Sequence, residues 1–343
     1  MINNTEVEEM INNTEAEEIR TISGSLVEMF GSLFIVLEHA FAMFLISKCK
    51  NVQKSVKILV SNLCIIDIIA GLWGFVRAQF RFHMIDKKIT CMLDVLFTTC
   101  VLNVSALLVS AIAIDRYTSV FRPMTYTQIV NKRVLATVCC VFWALGAIIA
   151  VIALYSEFAY TDDIGCELRM SQKEVFPWLL VVLRVVCIFI ITFTYSRMYA
   201  KIVSLGKVYS SAIKRRELRS IAKILIIVSP HLILHTCYVF IFFLKPVLKI
   251  QNAIATISLI YTSIILLDAL IYVFRFKECR INMAIYLCCC RKEYRDRKIK
   301  QRTLLYGTFL DRTPQGTLRR NAKNQRSVST IDVESVYAIS NKV

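Results

Sequence analysis

Apolar residues along this chain come in long blocks, not in the strict alternation of a strand or the spaced stripe of a half-buried helix. Seven blocks come near or exceed the roughly 20 residues that a helix needs to cross a bilayer: 24–47, 57–80, 92–117, 134–155, 175–202, 218–244 and 252–274. Polar residues gather at the two ends and in the connections between blocks. The pattern predicts an all-α membrane protein, a bundle of seven transmembrane helices with its two ends on opposite sides of the membrane.

The charges orient that bundle. Lys48, Lys50, Lys54 and Lys57 follow the first block, Arg122, Lys132 and Arg133 the third, and Lys207, Lys214, Arg215 and Arg216 the fifth. Positive connections stay in the cytoplasm. The loop after the fourth block carries Glu157, Asp162, Asp163, Glu167 and Glu174 and belongs outside, while Arg81, Lys87 and Lys88 against Asp86 make the second loop a mild exception. The expectation is a multi-pass protein of the plasma membrane, N-terminus extracellular and C-terminus cytoplasmic. The first 20 residues hold six Glu and one Arg, whereas 275–343 hold sixteen Lys or Arg and six Asp or Glu. The net charge of +17 is therefore a property of the cytoplasmic face, which suits anionic membrane lipids and not nucleic acid.

Composition narrows the class further. Of 343 residues 56% are hydrophobic and 20% charged, with 9 Gly and 5 Pro, which argues against a water-soluble enzyme, a disordered chain or a collagen-like fibre. The four histidines, His39, His83, His231 and His235, are scattered and pair no nucleophile with a base, so no catalytic constellation is expected. No signal peptide opens the chain, and the first span would insert as its own signal. Two copies of an Ile-Asn-Asn-Thr-Glu repeat place Asn-x-Thr sequons at Asn3 and Asn12, read either as glycosylation sites or as part of an unmodified disordered tail. Asn103-Val-Ser fits the same pattern but falls inside a span.

Among 13 cysteines, Cys91 and Cys166 are the two clearly on the oxidising side, either as a bridge or as two free thiols. Cys288, Cys289 and Cys290 form a cytoplasmic juxtamembrane run that reads as palmitoylation, or as reduced thiols.

At the inner end of the third span stands Asp115-Arg116-Tyr117, followed by Pro123 and Tyr126. In that position the motif resembles the rhodopsin-like (class A) G-protein-coupled receptors, and the likeness covers about 22–290. Asp67, Ser105, Trp143 and Tyr195 match family landmarks in helices two to five, and Cys91 stands where the family's disulfide requires it. Asp268-Ala-Leu-Ile-Tyr272 is a variant of the motif ending helix seven, and Val-Phe-Arg-Phe-Lys-Glu-Cys-Arg after it resembles an amphipathic eighth helix. This divides the chain into an acidic extracellular tail (1–22), the seven-span domain (23–275), a short amphipathic helix (276–290) and a basic, disordered tail (291–343). The chain also departs from the family. His39, preceded by Glu38, replaces an asparagine, Cys187 and Ala269 replace prolines, and the sixth helix reads Leu234-His235-Thr236-Cys237 with His231 and Pro230 before it. Proline kinks act as hinges, so the usual activation movement is expected to be altered, or its bend moved to Pro230.

The resemblance implies roles. Arg116, with Asp115, Tyr117, Glu217, Tyr195 and Tyr272, would form the inactive-state latch and the G-protein coupling site; the plainer reading is neutralisation of a half-buried Arg. Asp67, Ser105 and Asp268, joined by His39 and His235, would form a polar core where the family binds a sodium ion. Two buried carboxylates need a shared proton or a cation between them. Apart from that ion no cofactor is expected. Thr98 stands where amine receptors carry an Asp, which argues against a monoamine and leaves a peptide, a lipid or another small molecule. Arg77, Asp94, Thr98, Arg184 and His235 are the pocket candidates, the arginines either receiving an anionic group or pairing with Asp94 and the acidic loop. Ser327, Ser329 and Thr330 form a phosphorylation cluster of the kind that recruits arrestin. The function expected is a receptor coupling an extracellular ligand to heterotrimeric G-proteins; the alternatives are a non-signalling decoy or a transporter.

Overall fold

The computed structural model describes residues 4–50, 52–82, 87–161, 165–168, 175–208, 236–237, 262–263, 265–267, 276–287 and 291–310. Most of spans six and seven, together with Asn3, Glu217, His231, His235, Asp268, Tyr272, residues 288–290, Ser327, Ser329 and Thr330, lies outside the described residues.

The apolar blocks become helices because lipid offers the backbone no hydrogen-bond partner but itself. They are α1 (Asn4–Lys48), α2 (Lys54–Phe82), α3 (Lys87–Phe121), α5 (Lys132–Glu157) and α6 (Val175–Val208), with a one-turn-and-a-half α4 (Pro123–Ile129) between α3 and α5. Five of these contain a stretch long and apolar enough to cross a membrane: Ile22–Lys48, Lys54–Phe80, Lys88–Phe121, Lys132–Tyr155 and Leu179–Lys201. Pro123 opens α4, where its missing N–H costs nothing. Asn131 caps α5, its side-chain oxygen accepting the Val134 N–H at 2.9 Å.

The two ends differ from expectation. The acidic repeat is not a disordered tail, because α1 runs unbroken from Asn4 into the membrane. Its glutamates are good helix formers, they favour a helix N-terminus, and the span behind them supplies the nucleus. Asn12 sits within this helix. At the other end α7 (Lys277–Leu287) is the expected helix after span seven, but the supposedly disordered basic segment begins with a further helix, α8 (Lys292–Leu310). Its Lys, Arg, Gln and Leu residues favour helix, and Pro314 and Gly316 follow its end. The chain divides into two compact units, Met1–Arg280 and Ile281–Val343. The loop after α5 is not purely irregular: β1 (Phe158–Thr161) pairs antiparallel with β2 (Gly165–Leu168), with Tyr160 opposite Cys166. Both strands pack against α3.

Within the first unit α3 is central, touching α2, α5 and α6, while α1 lies along α2. Missing side chains set the close approaches. A Cβ at Gly74 would stand 2.5 Å from Ser32 Oγ, and one at Gly146 would stand 2.3 Å from Val104 Cγ2, so a side chain at either position would force Ser32 or Val104 to shift. Polarity is inverted relative to a soluble protein. Val27, Phe30, Phe34 and Leu37, at helical spacing on α1, face outward, whereas Ser32, His39, Asp67, Asn103, Ser105 and Asp115 are buried. Burial of Asn103, whose amide donates to the Thr99 carbonyl at 2.9 Å, closes that sequon to modification.

Candidate functional site

Three polar clusters lie along the first three helices, one in the half expected to be outer, one mid-bundle and one at the mouth expected to be inner.

At the inner mouth α3 ends with Asp115 buried and Arg116 half-buried. The Arg116 guanidinium donates through Nε to Asp115 Oδ2 at 2.9 Å, and through Nη2 to the same carboxylate and to Gln53 Oε1 at the start of α2. Tyr126 of α4 donates its hydroxyl hydrogen to Asp115 Oδ1 at 2.6 Å. That single hydrogen is spent there, so in the 2.7 Å contact with Ser55 Oγ it is Ser55 that donates. Burial first, then the bond to Asp115, raises the Tyr126 phenol above its ordinary value. Beside them Tyr117 stacks on Phe121 with centroids 4.3 Å apart. Lys201 of α6 caps the Val120 carbonyl at 3.0 Å, its ammonium 4.3 Å from the Phe121 ring centre. Tyr195 is buried on α6.

Mid-bundle, His39 of α1 and Asp67 of α2 are both out of water and face each other, Nε2 to Oδ2 at 3.1 Å. The other ring nitrogen, Nδ1, lies 2.9 Å from the Ile35 carbonyl one turn earlier. Ser105 is buried on α3, and its hydroxyl has no partner among the described residues. The same holds for both oxygens of the Glu38 carboxylate. Trp143 of α5 donates to Asn62 Oδ1 at 3.3 Å, tying α5 to α2.

In the outer half Arg77 of α2 reaches two helices. Its Nε donates to Glu28 Oε1 of α1 at 2.6 Å, with Nη2 on the same oxygen, and its Nη1 meets Asp94 Oδ1 of α3 at 2.7 Å. Trp73 Nε1 donates to that Asp94 oxygen at 2.9 Å, and its ring stacks on Phe97 at 4.7 Å. Of the two readings of Arg77, the structure has the paired one. The guanidinium is bound by two carboxylates, and Glu28 is the partner that sequence reasoning missed. Arg184 is buried on α6, and Thr98 is partly exposed on α3 one turn below Asp94.

The family described as "7 transmembrane receptor (rhodopsin family)" matches residues 40–273, well over half of the chain. The chain belongs to that family. Membership agrees with a seven-helix, multi-pass membrane fold and sets the chain in a receptor family, not an enzyme family. Among relatives, human Olfactory receptor 7D2 is 23% identical over 278 residues, covering 75% of this chain and 85% of that one. Human Olfactory receptor 4K1 is 26% identical over 132 residues, 38% of this chain and 41% of the relative. Cannabinoid receptor 1 of Xenopus laevis is 24% identical over 178 residues, 48% of this chain and 36% of the relative. The receptor spans about two fifths of the length of Olfactory receptor 4K1, 34% of human Olfactory receptor 2M3 and 61% of human Olfactory receptor 2M4.

Several expected groupings are therefore real neighbours in the receptor. Asp115 and Arg116 are bonded, and His39 meets Asp67, while the positions foreseen on spans six and seven lie outside the described residues. Cys91 at the outer start of α3 is disulfide-bonded. Two thiols that the sequence did not single out also meet. Cys49 at the end of α1 and Cys279 of α7 are buried with their sulfurs 2.8 Å apart, and the bond to Cys49, then burial, pushes the Cys279 thiol up. Next to them Glu278 accepts the Lys50 backbone N–H at 2.5 Å. Gln53 and Ser55 joined the inner cluster unannounced, and Tyr126, noted beside the motif, proved to be a partner of Asp115. Polar residues in the short connection before α2 and in its first turn were the available signal for the first two.

Proposed function

We propose that this receptor couples an extracellular ligand to heterotrimeric G-proteins by a movement at the inner ends of its helices. The observation that carries the reading is Arg116, a cation at the inner mouth held by its own neighbour Asp115 and the neutral Gln53. Such ties are weak enough to exchange for a partner's groups. Glu217 at the start of span six, with Tyr117, Tyr195 and Tyr272, would complete the resting latch. The N-terminus faces outside the plasma membrane, with Asn3 and Asn12 open to glycosylation, and the basic face lies against cytoplasmic lipids. The bridge of Cys91 is assigned to Cys166 of β2, a strand that packs against α3. Residues 288–290 take palmitate, and phosphorylated Ser327, Ser329 and Thr330 recruit arrestin.

For the ligand, neutralisation of Arg77 by Glu28 and Asp94 argues against an anion held there, and Thr98 argues against a monoamine. A small molecule of low charge fits both, a reading supported by relatives named as olfactory and cannabinoid receptors. The test is guanine-nucleotide exchange on G-proteins in membranes, wild type against Arg116→Ala, across a small-molecule screen. Exchange that depends on Arg116 is expected. Equal exchange in both, with every ligand, would leave a non-signalling decoy, and flux of a radiotracer into liposomes would point to a transporter.

A further inference from the structure

Where the chain leaves α1 it meets the start of α7 through two consecutive residues on each side. Cys49, the first residue past α1, has its sulfur 2.8 Å from that of Cys279, and the Lys50 backbone N–H donates to Glu278 Oε1 at 2.5 Å. Both cysteines are fully buried, and both belong to the first compact unit. Their backbones are held as well. The Cys49 N–H closes the last turn of α1 on the Ile46 carbonyl at 3.1 Å, and Cys279 sits in the first turn of α7. The Cys49 thiol donates its one hydrogen to the Leu45 carbonyl at 3.2 Å, so between the sulfurs it is Cys279 that donates.

A thiol is a weak donor and a weak acceptor, so the reduced pair gains little from this placement. A disulfide gains more. Its sulfurs stand about 2.05 Å apart, which leaves less than ~1 Å to close. The residues it would join are 230 apart in sequence, so the bond would tie segments that meet only through the fold. The pair lies at the face expected to be cytoplasmic, where thiols stay reduced and a disulfide is a transient state set by oxidant. Hydrogen peroxide, small and uncharged, suits a site closed to larger oxidants. One sulfur attacks a peroxide oxygen, the O–O bond breaks, and a sulfenic acid and water form. The second sulfur attacks the sulfenic sulfur, the S–O bond breaks, and the hydroxyl leaves as water. The two thiol hydrogens end in the two waters; the sulfurs lose two electrons and the peroxide gains them. The bond to Cys49, then burial, keep the Cys279 thiol protonated, which makes it the resolving partner and Cys49 the first to attack.

We propose that Cys49 and Cys279 are a redox pair, converted by peroxide to a disulfide that clasps the start of α7 to the end of α1. Because α7 begins five residues after Tyr272, the bond tethers the chain just beyond span seven. A restraint on the helix movement proposed above rests on that reading; the bond itself does not. The test is peptide mapping by mass spectrometry of the purified full-length receptor, first reduced with glutathione and then freed of it. Samples before and after hydrogen peroxide are denatured in N-ethylmaleimide to block every remaining thiol. The Cys49 and Cys279 peptides are expected as separate maleimide adducts before treatment. After it they are expected as one linked species, two hydrogens lighter, that dithiothreitol splits. Peroxide is also expected to raise the Tm of wild type by about 3 °C or more and to leave Cys49→Ala and Cys279→Ala unmoved. The bridge of Cys91 is common to all three and drops out of the comparison. Both peptides still carrying maleimide after peroxide overturns the proposal. So does each ending as a separate sulfinic acid, or either joined instead to another cysteine such as Cys288. A linked pair that leaves Tm unmoved overturns the clasp. Should the variants fail to fold, the wild-type peptides and Tm decide alone. Neither readout involves a G-protein, so a receptor that fails to couple leaves this result intact.

Discussion

Two arginines near opposite faces of the membrane are held in different ways. Arg77 in the outer half is bound by carboxylates from two other helices, Glu28 of α1 and Asp94 of α3, with side chains 26%, 17% and 32% exposed. Arg116 at the inner mouth is bound by the residue before it, Asp115, and by the neutral Gln53. The first arrangement ties three helices together, and releasing it takes the guanidinium from two acids at once. The second ties a residue mostly to its own helix, and when Arg116 leaves, Asp115 keeps the hydrogen bond from Tyr126. A cation meant to brace is given remote partners; one meant to move is given a local partner that survives its departure.

The largest effect that would test this contrast is on stability. Arg77→Met should cost roughly 2–3 kcal/mol, somewhat less than the ~3–5 kcal/mol of a fully buried broken pair because the site is part-exposed. Thermal unfolding in detergent measures it. The triple change Arg77→Met, Glu28→Gln and Asp94→Asn should recover most of the loss, because the two acids that faced Arg77 no longer carry charge. Arg116→Met should cost about 1 kcal/mol in the same assay while abolishing ligand-dependent nucleotide exchange. If Arg116→Met destabilises as much as Arg77→Met, the contrast fails.

A smaller effect separates Tyr126 from Arg116. Tyr126→Phe removes the donor to Asp115 and the acceptor for Ser55, at about 1 kcal/mol, and should raise ligand-free exchange. Its pH dependence has a definite sign. Burial and Asp115 raise the phenol above its usual value of 10.0, so the fold favours the neutral form. That stabilisation is fully present below the unfolded value and is lost as pH climbs from there through the raised one. The difference between wild type and Tyr126→Phe should therefore be flat around neutrality and shrink above about pH 10. The smallest effect belongs to Gln53→Ala, where an exposed neutral contact is lost. Its Tm should move by less than ~0.5 kcal/mol equivalent while ligand-free exchange rises modestly.

Much of the frame was readable in advance. In lipid a block of about twenty apolar residues has one conformation open to it, so the five described spans could be placed from hydropathy alone. The ends were less legible. The acidic repeat before Arg20 looks like a solvated tail in isolation, yet it extends α1, because a helix already nucleated by the membrane span continues through residues that do not oppose it. The hairpin of Phe158–Thr161 with Gly165–Leu168 was invisible for the opposite reason, since two four-residue strands acquire stability only from packing on α3.

Sequence alone determined the class of this protein, the number of spans, the charge asymmetry between its faces and the identity of its polar residues. Tertiary structure decided who meets whom. Glu28 and Arg77 are 49 residues apart and His39 and Asp67 are 28 apart, and each is joined only because α1 and α2 lie side by side. Gly74 leaves room for that approach, since a side chain there would push against Ser32. The composition of a helix follows from its solvent, but the partner of a buried charge follows from helix rotation and spacing, which packing sets and no single segment encodes.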